Sequence, residues 1–212
     1  MEPDAPLTAV ERYYSGKLAE HGPTPRGVDW NDEASQTLRF DQLLKVCDLD
    51  DEFTINDYGC GYGALARHLE ALGCAFHYTG FDISRTMLEE ARRLRGDSDC
   101  VRFVGRDDEL EVADYTVASG IFNVKLEAGN DVWERYVFAT IARLNELSEH
   151  GFSFNMLTSY SDADRMRLDL HYANPGKIFD HCKRNFSRWV ALLHDYGLYE
   201  FTILVRKELA QA

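Results

Sequence analysis

Asp57-Tyr-Gly59-Cys-Gly61-Tyr-Gly63-Ala-Leu sets three alternating glycines between a short β-type run, Phe53–Tyr58, and a helical pattern at Leu65, Leu69 and Leu72. Glycine supplies tight turns and lets a ligand touch main-chain atoms with no Cβ between. A strand that turns this sharply into a helix opens a fold of alternating strands and helices, and the downstream chain keeps that rhythm. Phe76–Phe81 reads as a second strand, followed by Asp82, a Ser84 cap and a helix bearing Met87, Leu88, Ala91 and Leu94. Val101–Val104 and residues 114–119 read as strands three and four. Trp133, Val137, Ile141 and Leu144 form the apolar stripe of a long helix after an Asn130-Asp131 cap, and residues 152–157 form strand five. Asn174-Pro175 looks like an N-cap with proline at the first helical position, ahead of Ile178, Phe179, Cys182 and Phe186. Trp189–Leu193 and residues 201–205 close the chain as an antiparallel hairpin around Asp195-Tyr196-Gly197. The expectation is an α/β, doubly wound, mostly parallel sheet. Its ligand sits beyond the carboxyl ends of the strands, where the strand order reverses.

The first fifty residues lack this rhythm. Thr8 and Glu11 form a Thr-x-x-Glu capping box before a first helix, two prolines and two glycines break the chain at residues 21–27, and Phe40, Leu43, Leu44 and Cys47 mark one helix face. Residues 1–50 therefore read as a helical cap or lid on a ligand-binding domain of residues 51–212, the whole forming a single compact unit.

Thirty-six acidic against twenty-three basic side chains give a net charge of −13, which disfavours nucleic acid or an anionic bilayer as main partner and favours neutral or cationic small molecules. No apolar run approaches the roughly 20 residues of a membrane span. Five cysteines without a CxxC, and histidines without ligand spacing, predict no metal. Met1-Glu2-Pro3-Asp4 is acidic with no apolar stretch behind it, so the expectation is a reduced cytoplasmic protein, monomer or homodimer.

Asp82 follows the second strand, where a carboxylate is placed to accept from both hydroxyls of a ribose; the alternative is a plain helix cap. Gly59-x-Gly61-x-x-Ala64 fits the dinucleotide fingerprint of nicotinamide-dependent oxidoreductases. Asp57-x-Gly59-x-Gly61-x-Gly63, with its acid two before the first glycine, more closely resembles motif I of the class I S-adenosylmethionine-dependent methyltransferases. Tyr78-Thr-Gly-Phe-Asp82-Ile-Ser84 looks like that family's second motif, and residues 113–119 like its strand-four motif. The resemblance covers roughly residues 35–207. It implies the sheet order 3-2-1-4-5-7-6 with strand seven antiparallel, and S-adenosyl-L-methionine as cofactor, leaving as S-adenosyl-L-homocysteine.

By the same resemblance, the Gly59-Cys60-Gly61 backbone lies against the methionyl part, and Asp57 sits beneath the turn and reaches the amino group. Asp82 binds the ribose, Ile83 packs on adenine, Asp107 (or Asp108) accepts from the adenine amino group, and Ser119 passes beside the sulfonium. Arg39 is expected to pair with the cofactor carboxylate. Asn123 either positions the acceptor or caps its loop, and His171 is a candidate base. Tyr14, Trp30, Phe122 and Tyr172 are candidates for the acceptor pocket, although each of the N-terminal side chains has a packing role as its alternative. The expected reaction is methyl transfer to oxygen or nitrogen of a small molecule. A nicotinamide-dependent oxidoreductase and a catalytically silent methyltransferase fold acting as a binding subunit stay open.

Overall fold

A computed structural model describes residues 5–96 and 98–207. Seven strands make one sheet: β1 (Phe53–Tyr58), β2 (Phe76–Phe81), β3 (Val101–Val104), β4 (Ala113–Ala118), β5 (Ser148–Leu157), β6 (Trp189–Leu193) and β7 (Glu200–Arg206). Their order is β3-β2-β1-β4-β5-β7-β6, with β1–β5 parallel and β7 antiparallel to both β5 and β6. The chain order reverses between β1 and β4, so the crevice for a ligand opens above the carboxyl ends of those two strands.

Among the described residues six α-helices flank the sheet: α1 (Ala5–His21), α2 (Glu33–Leu44), α3 (Ala64–Leu72), α4 (Arg85–Arg95), α5 (Asn130–Glu146) and α6 (Pro175–Asn185). One core joins α2, α3 and α4 to the sheet through Leu43, Leu65, Leu69 and Ala91; the other joins α5 and α6 to the opposite face through Trp133, Ile141, Ile178 and Cys182. Central strands buried on both faces read as near-continuous apolar runs, as residues 201–205 do, whereas residues 152–156 are equally buried but interrupted by Ser153 and Asn155.

Local signals placed two of the helix starts. Ser84 caps α4, its hydroxyl accepting from Met87 N at 3.2 Å, and Asn174 caps α6 by accepting from Lys177 N at 3.1 Å, with Pro175 at the first helical position. Two expected caps differ. Helix α1 already includes Ala5, so Thr8 lies within it and Glu11 accepts from Ser15 Oγ instead of closing a capping box. Helix α5 is capped by Gly129, with Asn130 its first residue. Leu72 and Leu94, expected on apolar stripes, are exposed because each sits in the last turn of its helix. Residues 1–50 divide in the structure: α2 packs into the core, while α1 and the 3₁₀ turn at Pro25–Val28 lie over the crevice. The N-terminal Met1-Glu2-Pro3-Asp4 lies outside the described residues.

Candidate cofactor and acceptor site

The turn after β1 is built from its own main chain. Gly59, Gly61 and Gly63 all take positive φ, +85°, +54° and +78°. A Cβ on Gly59 would meet Ile121 Cγ2 at 2.3 Å, so glycine is required there by space as well as by conformation. Phe81 O, ending β2, accepts from Gly59 N at 2.7 Å and Cys60 N at 2.9 Å, which clamps the turn to the neighbouring strand. Asp82 completes the clamp, its two carboxylate oxygens accepting from Gly61 N and Ser84 N, both at 2.8 Å. Beneath the turn, Asp57 is buried and accepts from Tyr78 Oη at 2.8 Å. Burial pushes the Asp57 carboxyl up to about 7, opposed by the Tyr78 hydroxyl and reinforced by Asp82; burial pushes Asp82 up to about 6, opposed by its two amide partners.

At the end of β4, Gly120 has φ +75° and a Cβ there would strike the Trp30 ring at 2.4 Å. Its amide donates to Asn155 Oδ1 of β5 at 2.7 Å, and Asn155 Nδ2 reaches Ser119 Oγ at 3.4 Å. The two strand ends thus face a cavity of about 1010 Å³, counting its solvent-facing mouth. Asp57, Gly59, Cys60, Gly61, Asp82 and Ile83 line its floor. Leu7, Val10, Glu11 and Tyr14 of α1, together with Val28 and Trp30, line the other side. Glu11, Asp57 and Asp82 supply three acids to the lining, and among the described residues no lysine, arginine or histidine joins them.

The expected site residues Asp57, Gly59, Cys60, Gly61, Asp82, Ile83 and Ser119 meet at this cavity, joined from the far N-terminus by Tyr14 and Trp30. The Cys60 thiol is pushed well up by burial, so it contributes space and backbone, not a nucleophile. Other residues are placed elsewhere. Arg39 is buried with its guanidinium committed to Glu200, Nε to Oε2 at 2.9 Å and Nη2 to Oε1 at 2.8 Å, and it stacks 3.8 Å from the Trp30 ring. Asp107 is engaged by Arg143 Nε at 3.0 Å, and Asp108 by Arg106 Nε at 2.9 Å. Asn123 caps its loop, its Oδ1 accepting from Leu157 N at 3.0 Å. Phe122 is fully buried edge-on to Phe154 and cannot touch an acceptor. Tyr172 Oη accepts from Arg167 N at 3.0 Å, and His171 is half-buried, its ring held towards the neutral form by burial and its amide bonded to Asn123 O. None of these side chains lines the cavity.

Sequence reasoning missed Gln36, Tyr62 and Tyr136, which also line it. Tyr136 comes from α5 and packs against Trp133 at 4.8 Å between ring centroids. Burial pushes its phenol up to about 12, so it stays protonated. Helical periodicity marked Trp133 and Val137 as one face; nothing in the pattern shows that the adjacent Tyr136 meets the floor made by a distant stretch of chain.

Residues 55–146 match a family model described as a methyltransferase domain. A Mycobacterium tuberculosis (strain ATCC 25618 / H37Rv) protein provisionally named as a methyltransferase, Rv1506c, is 52% identical over 169 residues, covering 77% of this chain and 99% of that protein. The chain belongs to the class I S-adenosylmethionine-dependent methyltransferases. Its sheet order is the one that membership implies. Among solved structures, N-methyltransferase NodS of Bradyrhizobium japonicum WM9, in complex with S-adenosylhomocysteine, superimposes with a TM-score of 0.64 at 15% identity, covering 92% of this chain and 97% of that one. Human N-acetylserotonin methyltransferase, in complex with S-adenosylmethionine, gives a TM-score of 0.64 at 19% identity and covers 99% of this chain. This chain spans 61% of that enzyme's length.

The cofactor is S-adenosylmethionine, and the floor suits it. Asp82 uses one lone pair on each oxygen for the turn and keeps the others for hydroxyl donors. Ile83 beside it is 41% exposed, leaving an apolar surface uncovered at the cavity. Among the described residues there is no group of histidine, cysteine and acidic side chains arranged to hold a metal, and no helix is long and apolar enough to cross a membrane.

Proposed function

We propose that the protein transfers a methyl group from S-adenosylmethionine to an oxygen or nitrogen of a small, largely apolar acceptor by in-line displacement. The observation that carries this reading is the shared cavity, because the strand-end floor and the aromatic side walls enclose one space. When bound, the cofactor supplies a methyl group already activated on a sulfonium. The chain's own task is then to orient the acceptor and exclude water. Tyr14, Trp30 and Tyr136 offer flat faces that fix an acceptor's plane. Burial and the neighbouring acids Asp29 and Asp82 hold the Tyr14 phenol above its ordinary range, so it acts as a hydrogen-bond donor and not as a base. Three acids and no cation in the described lining select against carboxylate, phosphate or nucleic-acid acceptors, in line with the chain's net charge of −13. Asp57 and Asp82 receive the cofactor's amino group and ribose, Ile83 its adenine, and Ser119 the region of its sulfonium. A cytoplasmic setting suits the five free thiols.

The test is incubation with methyl-labelled S-adenosylmethionine and matched sets of aryl amines, phenols and aryl carboxylates, read by mass spectrometry. Labelled product from the amines or phenols supports the proposal. Product from the carboxylates alone, or from none while the cofactor binds, moves the reading to another acceptor class or to a silent fold.

A further inference from the structure

The cofactor carries one anionic group, its carboxylate, and among the described residues no lysine, arginine or histidine lines the cavity to pair with it. Four of the turn's amides are occupied, since Gly59 N and Cys60 N donate to Phe81 O, Gly61 N to Asp82 and Gly63 N to Cys60 O. Arg39, the cation that the sequence puts forward, is held by both oxygens of the buried Glu200. Withdrawing it would strand a carboxylate that is 1% exposed, and removing one partner of a buried pair is strongly destabilising. The acids in the lining repel an anion.

A side-chain amide beside the turn faces this space. Gln36 of α2 is 4% exposed, lines the cavity, and has its Oε1 fixed by Tyr62 Oη at 3.0 Å. Tyr62 stands between Gly61 and Gly63, so this bond holds the amide against the glycine turn. With the oxygen engaged, Nε2 has no protein partner among the described residues, and it is not a sealed polar atom lacking one, which among those residues is Arg95 Nε alone. Nε2 is thus a donor open to the cavity and available to a ligand acceptor.

We propose that Gln36, positioned by Tyr62, donates to the carboxylate of the cofactor's methionyl group, the role expected of Arg39. The structural pair Arg39–Glu200 then serves only to stack Trp30 above Gly120. Because the donor is a neutral amide, it tolerates the acids around it without being drawn into an ion pair. The proposal rests on the chain binding S-adenosylmethionine in this cavity.

The experiment measures calorimetric affinity for S-adenosylhomocysteine and for its decarboxylated analogue, which keeps the amino group. The wild-type chain is titrated before any variant. Its failure to bind S-adenosylhomocysteine would count against the cofactor site itself, a result distinct from a loss confined to the variants. Gln36→Leu is expected to weaken S-adenosylhomocysteine about tenfold or more, the loss of a hydrogen bond to a charged group, and the decarboxylated analogue less than about twofold. Gln36→Glu keeps the acceptor for Tyr62 and presents a negative charge, so it is expected to weaken S-adenosylhomocysteine further than Gln36→Leu does. Equal losses for both ligands in both variants would assign Gln36 a purely structural role and overturn the proposal, as would unchanged affinity for S-adenosylhomocysteine.

Discussion

The floor and the roof of the cavity are held in different ways. On the floor, Asp57, the glycine turn, Asp82 and Ser84 come from one strand–helix–strand unit, tied together by main-chain hydrogen bonds to Phe81 O and Asp82. The roof is assembled from α1 and the segment after it, and side chains hold it down. Ser15 Oγ lies 3.0 Å from Ser84 Oγ, and Thr86 Oγ1 donates to Ser15 at 3.1 Å. Tyr13 Oη donates to Asp29 at 2.7 Å, and Lys17 lies 3.0 Å from the same carboxylate. Backbone scaffolding makes the floor insensitive to most side-chain identities, so its pattern is constrained locally.

That contrast gives a graded set of expectations. Asp82→Ala removes both the ribose acceptor and the clamp on Gly61, and two hydroxyl contacts of about 1–3 kcal/mol each imply an affinity loss on the order of a hundredfold for S-adenosylhomocysteine by calorimetry. A loss below about threefold would break the assignment of the floor. Tyr14→Phe deletes one hydroxyl of the roof and should cut kcat/KM for the acceptor about tenfold while leaving the cofactor Kd within about twofold. A matching fall in cofactor affinity would mean that floor and roof are not separable. Ser15→Ala loosens only the partly exposed hydroxyl link between α1 and α4, and denaturant unfolding should show a loss of about 1 kcal/mol or less, with cleavage by trypsin within α1 becoming faster.

The same contrast explains what could be read from the sequence. The strands, the turn and the placement of Asp82 follow from periodicity and local spacing, because each rests on neighbours in the chain, whereas the strand order follows from the family resemblance. The capping box at Thr8 failed because residues before it already enter the helix, which a four-residue motif does not show. Arg39 looked like an anion partner because its charge is visible and Glu200, the acid 161 residues away that neutralises it, is not. Asp107 and Arg143 repeat that lesson across 36 residues. Phe122 and Asn123 lie in the right loop, but one side chain fills the core and the other satisfies Leu157 N. Conversely, Gln36 carries no charge and no motif; only its bond to Tyr62 and its open amide reveal it.

Titration of the floor acids links stability to binding. Burial raises both Asp57 and Asp82, so between about pH 4 and about pH 7 the folded chain holds protons that the unfolded chain has released. These groups therefore make the free protein less stable as pH rises through that window. On the proposed reading, in which Asp57 receives the cofactor's amino group and Asp82 its ribose, cofactor binding runs the other way, because both contacts need the ionised carboxylates.

The most direct measurement is calorimetric titration with S-adenosylhomocysteine at about pH 8 and about pH 5.5, with NAD(H) run in parallel. The expected result is binding of S-adenosylhomocysteine alone, weaker at the lower pH as protons compete for Asp57 and Asp82. Binding of NAD(H) in its place, or an affinity for S-adenosylhomocysteine that rises on acidification, would contradict a cofactor floor built on these two carboxylates.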